Sequence, residues 1–220
     1  MTGMEQNTLD EVREIKKSLR LAMNGIVSTI QRRQGLDYKI NFGVEIPRLK
    51  GIADAHAKNR ELATTLWQDN IRECKMLAIF LMPEENFEDL ADKWIEETKF
   101  TEIADQLAMH LLCRLPAAWE KALQWIATSE GMAGYCGFLT VSHLIRRNIE
   151  PTLQQEQAFF KSIASLNVQE EKSITERCAL NAIMNYLDRS SGAVGRFKEA
   201  IPEDAGNTSG LAIILKNFEE

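Results

Sequence analysis

The stretch Asn59-Arg-Glu-Leu-Ala-Thr-Thr-Leu-Trp-Gln-Asp-Asn-Ile-Arg-Glu-Cys-Lys-Met-Leu-Ala-Ile-Phe-Leu-Met-Pro83 decides the fold. Asn59 is a good N-cap, the runs Leu62 to Trp67 and Ile71 to Leu81 carry apolar residues at helical spacing, and Pro83 stops the second. Two short helices joined by a tight polar turn are therefore expected here. Upstream, Pro47 sits where the first turn of a helix tolerates a missing N–H, and that helix continues through Leu49, Ile52 and Ala53. Before it, one helix is expected from Thr8, as N-cap, to just before Gly35, with Ile15, Leu19, Met23, Ile26, Val27 and Ile30 on one stripe. Gly35 can close that helix in a left-handed turn.

Downstream the same rhythm predicts helices at Phe87 to Glu97, Thr101 to Arg114, Ala118 to Thr128, Met132 to Arg147, Leu153 to Leu166 and Glu170 to Asp188, with weaker signals at Ala193 to Ala200 and Leu211 to Phe218. No stretch of strict alternation bounded by turn signals stands against them. The fold class is all-α. About two helices per 35 to 45 residues fit an α-α superhelix, a HEAT-like repeat solenoid of short antiparallel helix pairs, better than a four-helix bundle. The repeats show helix rhythm rather than residue-by-residue similarity, which leaves a globular helical array as the alternative. With 220 residues, 45% hydrophobic and 26% charged, a single domain spanning 1–220 is expected.

The longest apolar run, Met76 to Met82, is far short of the roughly 20 residues that span a bilayer, so no membrane segment is expected. Met1 to Arg20 is polar and amphipathic, unlike a secretory leader, and the cytoplasm is the expected compartment. The four cysteines, Cys74, Cys113, Cys136 and Cys178, form neither a CxxC pair nor a zinc-type cluster with the isolated His56, His110 and His143. Buried reduced thiols, no metal and no cofactor are expected. A net charge of −6 counts against a protein that grips phosphates over a large surface, although a basic strip on one face can coexist with an acidic total.

Chemistry is most visible in Thr101-Glu-Ile-Ala-Asp-Gln-Leu-Ala-Met-His-Leu-Leu-Cys113. Ile103, Leu107 and Leu111 form one stripe, and Ala108, Met109 and Leu112 a second, which Asp105 shares. A carboxylate on such a helix must be paired, protonated or exposed in a cleft, because an unpaired buried charge is too costly. One reading is a structural hydrogen bond between Asp105 and a neighbouring helix or arginine; the other is a functional carboxylate. The tryptophans Trp67, Trp94, Trp119 and Trp125 lie at helical positions with apolar neighbours, which suits a core.

The run Asn41-Phe-Gly-Val-Glu-Ile-Pro-Arg-Leu-Lys-Gly-Ile-Ala53 resembles the signature near the start of the alkylpurine DNA glycosylases of the bacterial DNA alkylation repair family. Leu66-Trp67, Ile71-Arg-Glu-Cys-Lys-Met-Leu-Ala78, Trp94 and Asp105-Gln106 resemble later parts of the same pattern. The likeness is good from Ile40 to Leu115 and continues as helix rhythm. It implies a concave helical surface that holds alkylated or structurally distorted duplex DNA, and hydrolysis of the N-glycosidic bond of cationic N3- or N7-alkylpurines without extruding the base; a monomer is the expected state. Asp105 would be the carboxylate that stabilises the oxocarbenium-like sugar and orients a water.

The chain departs from that pattern at three places. Thr101 stands where the family carries a tryptophan four residues before the aspartate, with Phe100 beside it. The stretch Gly131-Met-Ala-Gly-Tyr-Cys-Gly137 has no counterpart of the family's arginine, and Cys178-Ala-Leu-Asn-Ala-Ile-Met-Asn185 has no cleft tryptophan. Phe100, Thr101, Trp94 and Tyr135 are therefore the candidate substrate-contacting residues, and Tyr186 a further aromatic near the last gap. Arg48, Lys50, Arg146 and Arg147 are the main candidates for the DNA backbone, with Arg32, Arg33, Arg189, Arg196 and Lys198 as others. The competing reading is a non-catalytic HEAT-like member that binds damaged or branched DNA, or a protein partner, through its concave face. A helical scaffold with no nucleic-acid role ranks last.

Overall fold

The computed structural model describes residues 3–128, 132–166 and 173–200, and every element among them is helical apart from one isolated bridge between Ile40 and Ile71. The all-α class holds. The chain divides into two compact units, Met1–Ala91 and Asp92–Glu220.

The first unit contains α1 (Gly3–Leu21), α2 (Gly25–Arg33), α3 (Ile46–Ala53), α4 (Arg60–Gln68) and α5 (Arg72–Leu81), then 3-10 turns at Glu84–Asn86 and Glu88–Leu90. As expected, Asn59 caps α4, its side chain accepting from the Leu62 N–H at 3.0 Å, and Pro47 lies in the first turn of α3. The single first helix expected from Thr8 to Gly35 is instead two. Thr8 is buried inside α1 rather than capping it, and the chain breaks at Asn24, whose side chain accepts from the Ile26 and Val27 N–H groups and so starts α2 afresh. The apolar stripe splits with it: Ile15 and Leu19 of α1 are buried, whereas Met23, Ile26 and Ile30 are exposed. Gly35, at φ +92, does close α2 in the left-handed region.

Residues 41–44 are pinned between α2 and α5. The buried Glu73 carboxylate accepts from the Phe42 N–H at 3.1 Å and the Val44 N–H at 3.2 Å, and the buried Arg72 guanidinium donates to the Val44 carbonyl at 3.0 Å and to Glu73 at 3.3 Å. On the other side the Asn24 N–H donates to the Phe42 carbonyl at 2.8 Å, and the Ser28 hydroxyl to the Asn41 carbonyl at 2.8 Å. Gly43, at φ +70, must be glycine, since a Cβ there would collide with the Asn24 carbonyl oxygen and the Ser28 nitrogen.

The second unit contains the rest of α6 (Ala91–Glu96), then α7 (Thr101–His110), a 3-10 turn at Leu112–Arg114, α8 (Ala118–Thr128), α9 (Ala133–Arg146), α10 (Leu153–Ala164), α11 (Ile174–Arg189) and α12 (Ala193–Ala200). The expected helix Phe87 to Glu97 is shorter, because its first residues form 3-10 turns, and the expected helix Thr101 to Arg114 ends at His110, where Leu111 leaves helical geometry at φ −125. The helix proposed at Leu211 to Phe218, and the Glu170 start of the one before α12, lie outside the described residues. Thr152 and Ser173 head capping boxes with Gln155 and Glu176, which fixes where α10 and α11 begin.

Helix α9 is the centre of this unit, packed against α7, α8 and α11, with ten of its fourteen residues buried. Its approach to α8 is set by Gly137, where a Cβ would stand 2.7 Å from the Ala122 carbonyl oxygen and 2.7 Å from Ile126 Cγ1. Gly137→Ala must therefore push two helices apart, and thermal or urea unfolding should register a loss of about 1–3 kcal/mol despite the better helix propensity of alanine.

Trp119, Phe159, Phe160, Tyr186 and Phe197 form a connected aromatic core that joins α8, α10, α11 and α12. Beside it the buried Glu156 carboxylate accepts from the Tyr186 hydroxyl at 2.6 Å and from the Arg196 guanidinium at 2.7 and 2.9 Å. The Arg196 hydrogen bonds hold this carboxyl below its ordinary range, so the pair stabilises the fold above the usual pKa of 4.5 and that contribution is lost as pH falls through the lowered value. Arg196→Met leaves Glu156 ionised without its cation. Because Arg196 is 42% exposed, the expected loss is about 2 kcal/mol near neutral pH, less than for a fully buried pair, and it should shrink in acid.

Among the described residues, no helix is long and apolar enough to cross a membrane and no group of three or more His, Cys, Asp or Glu side chains is placed to hold a metal ion. Cys74, Cys113, Cys136 and Cys178 are buried free thiols.

Candidate active site

Helix α7 starts at Phe100, which has extended backbone and no side-chain cap, and buries Ile103, Ala104, Gln106, Leu107 and Ala108. Asp105 lies at the edge of that buried face and is half-buried. Its Oδ1 accepts from the Tyr135 hydroxyl on α9 at 3.0 Å. Thr101 is one turn before Asp105 on the same side of α7, partly exposed, with Phe100 next to it.

The electrostatics of Asp105 are unusual for a structural carboxylate. Burial pushes its pKa up, the Tyr135 hydrogen bond opposes that, and the Glu102 carboxylate one turn away adds to the rise. Two thiols and a phenol share its surroundings. Burial, and secondarily the charge of Asp105, push the thiols of Cys136 on α9 and Cys178 on α11 up to about 12, and raise the Tyr135 hydroxyl as well. Arg146 acts electrostatically on the Cys178 thiol, yet among the described residues no cation forms an ion pair with Asp105.

Of the residues selected from sequence, the fold brings together Asp105 and Tyr135, with Thr101 and Phe100 at the start of the same helix. Trp94 does not join them as an open surface: it is 1% exposed, and its main-chain carbonyl accepts from the Thr98 hydroxyl at 2.6 Å. Trp67, Trp119 and Trp125 are buried too, as their apolar neighbours predict, and the last two donate from the indole N–H to the Ile149 carbonyl and to Asp92.

Arg146 and Arg147 are exposed at the C-terminal end of α9. Eleven residues separate Arg146 from Tyr135, roughly 16 Å along the helix, a span of several nucleotides. Burial, and then the charges of these two arginines, lower the pKa of His143 in the same turn. Arg147 lines a groove of about 470 Å³ with Arg114, Trp119 and Gln155. Arg48 and Lys50 are exposed on α3 of the first unit, with Lys50 Nζ 5.8 Å from the centre of the Phe80 ring. Arg196, another candidate phosphate contact, is engaged by Glu156. A cavity of about 710 Å³ in the second unit, lined in part by Leu123, Ile126, Phe138, Ser162 and Thr175, contains none of the residues selected from sequence.

Two features of this site escaped sequence reasoning. Tyr135 was selected for its aromatic ring, whereas its hydroxyl is the hydrogen-bond donor to Asp105; thirty residues separate the two, and no local pattern links them. The electrostatic effect of the same carboxylate on Cys136 and Cys178 likewise depends on how α9 and α11 pack.

No curated protein and no solved structure matches the chain. The family model of the DNA alkylation repair enzymes matches residues 17–188, from within α1 to the last turn of α11 and across the whole of α7 and α9. With that span covering most of its length and holding the Asp105 and Tyr135 pair, the chain belongs to the DNA alkylation repair enzyme family.

Proposed function

We propose that the protein is a DNA glycosylase that hydrolyses the N-glycosidic bond of purines carrying a cationic N3- or N7-alkyl group, with Asp105 at the reacting sugar. The observation that carries this reading is a half-buried carboxylate with a tyrosine hydroxyl as partner and, among the described residues, no cation paired to it. Such a group costs stability unless a positive charge arrives from outside, and the transition state brings one.

An alkylated purine is already positively charged and leaves as a neutral base. As the bond from C1′ to the base nitrogen lengthens, positive charge moves onto the sugar, where a carboxylate in a partly desolvated setting attracts it more strongly than in water. Asp105 then accepts a hydrogen bond from a water molecule, aims its oxygen at C1′ and takes up its proton, leaving an abasic sugar. The Tyr135 hydroxyl holds the other edge of the reaction in place by fixing one carboxylate oxygen. Phe100 and Thr101 are the nearest candidates to border the lesion, and Arg146 and Arg147 take phosphates farther along the strand.

A specific feature favours a second reading: Thr101 stands where the family carries a tryptophan, and residues 132–137 include no arginine. A member without those groups holds DNA without cleaving it. Incubating the purified chain with methylated duplex DNA and assaying free 7-methylguanine and 3-methyladenine separates the two, since release above the spontaneous rate supports the glycosylase and its absence supports the non-catalytic binder.

A further inference from the structure

The corner formed by the end of α1 and by α2 has a composition unlike the rest of the chain. No aspartate or glutamate occurs between Glu14 and Asp37, while Lys16, Lys17, Arg20, Arg32 and Arg33 all fall there, in a protein of net charge −6. Lys16 is paired with Asp69 at 2.8 Å. Lys17, Arg20, Arg32 and Arg33 are exposed and make no ion pair among the described residues.

Within this basic border lie four aliphatic side chains that the fold leaves in solvent: Leu21 is 81% exposed, Met23 62%, Ile26 76% and Ile30 48%. Ile26, Ile30 and Arg33 follow the spacing i, i+4, i+7 and so share one face of α2. The arginines at the end of α2 are accounted for by the helix dipole alone, but the aliphatic row is not. Nor is this a loose helix end. Asn24 caps α2 and is tied to Phe42, Ser28 is tied to Asn41, and Gly43 packs directly beneath, so the face is presented on a fixed backbone.

We propose that this face of the first unit is a DNA-contacting surface, built from residues other than those around Asp105, at which Ile26 and Ile30 lie against the sugars and base edges of a duplex groove while Arg20, Arg32 and Arg33 meet the flanking phosphates. Charge selects the occupant. A second copy of the chain would set arginines against arginines, whereas duplex DNA offers phosphates to the border and apolar sugar and base surface to the centre. The inference rests on DNA being the family's substrate but not on the chemistry assigned to Asp105.

The test is the affinity of the full chain for a fluorescein-labelled undamaged duplex, followed by anisotropy over a range of salt concentrations. Base release plays no part in this readout, so failure of the glycosylase reading leaves it intact. Ile26→Ser with Ile30→Ser is expected to weaken binding by about tenfold with the salt dependence unchanged, because two apolar contacts and no phosphate contacts are lost. Arg32→Gln with Arg33→Gln is expected to weaken binding and to lower the slope of log K against log salt by about 1.8. All four positions are exposed, and circular dichroism with a melting curve checks that each variant is folded. Wild-type-like affinity in either variant, or no binding by the wild type, would overturn the proposal.

Discussion

Asp105→Asn is expected to reduce base release by on the order of 100-fold or more while raising the melting temperature at neutral pH. Asparagine keeps the shape and an oxygen that can accept from Tyr135, so the packing of α7 on α9 is retained. What it removes is the charge. Because burial raises the pKa of Asp105 in the folded protein, the folded chain prefers the protonated form. The resulting stability is fully present below the unfolded value of about 3.8 and lost as pH rises through the folded value, so at neutral pH the ionised carboxylate is a cost. The variant should melt higher at pH 7, by on the order of a few degrees, and the gap should close in acid. A structural aspartate paired with an arginine would behave in the opposite way. Release by the wild type should fall as pH drops through the raised pKa of Asp105. Tyr135→Phe should move that limb higher, because the hydrogen bond that opposes the rise is gone.

Glu73→Ala should give the largest loss of stability in the first unit, about 3–5 kcal/mol. Glu73 is fully buried, and its carboxylate serves two main-chain N–H groups and the Arg72 guanidinium at once. Alanine removes the negative charge from beside a buried cation and takes the acceptor from the Phe42 and Val44 amides. Glu73→Gln, which can still accept but carries no charge, should lose less. Amide exchange should localise the effect: residues 41–44 and α2, joined through the Asn24 and Ser28 hydrogen bonds, should open before α4. If both variants melt like the wild type, the clamp does not carry the stability assigned to it.

The helices were legible wherever capping chemistry and apolar spacing agreed, as at Asn59 with α4, Pro47 with α3 and the run that became α8. They were misread where spacing continued through a local break. The stripe from Ile15 to Ile30 has helical period throughout, but Asn24-Gly25 offers a side-chain cap that an uninterrupted helix cannot use, and the second half of the stripe then faces solvent. The resemblance carried by Phe42, Gly43 and Val44 pointed to the family, and the fold supplies its physical reason: this segment is the piece of chain that Glu73 and Arg72 grip and that α2 packs upon.

Asp105 stood out because a carboxylate shared a stripe with Ala108 and Leu112, both now buried. Its partner could not be read, since a hydroxyl thirty residues away meets it only through the packing of α9 on α7. The same holds for the cations. Arg196 reads as a free surface arginine in sequence and is committed to Glu156 by the docking of α12.

The most direct test of the central claim is release of 7-methylguanine from a methylated duplex under single turnover, comparing wild type with Asp105→Asn in preparations whose melting curves are recorded alongside. The account predicts release by the wild type, loss of it in the variant, and a variant that melts no lower. Equal release by both proteins, or a variant that loses release only because it has lost its fold, would contradict a catalytic carboxylate at Asp105.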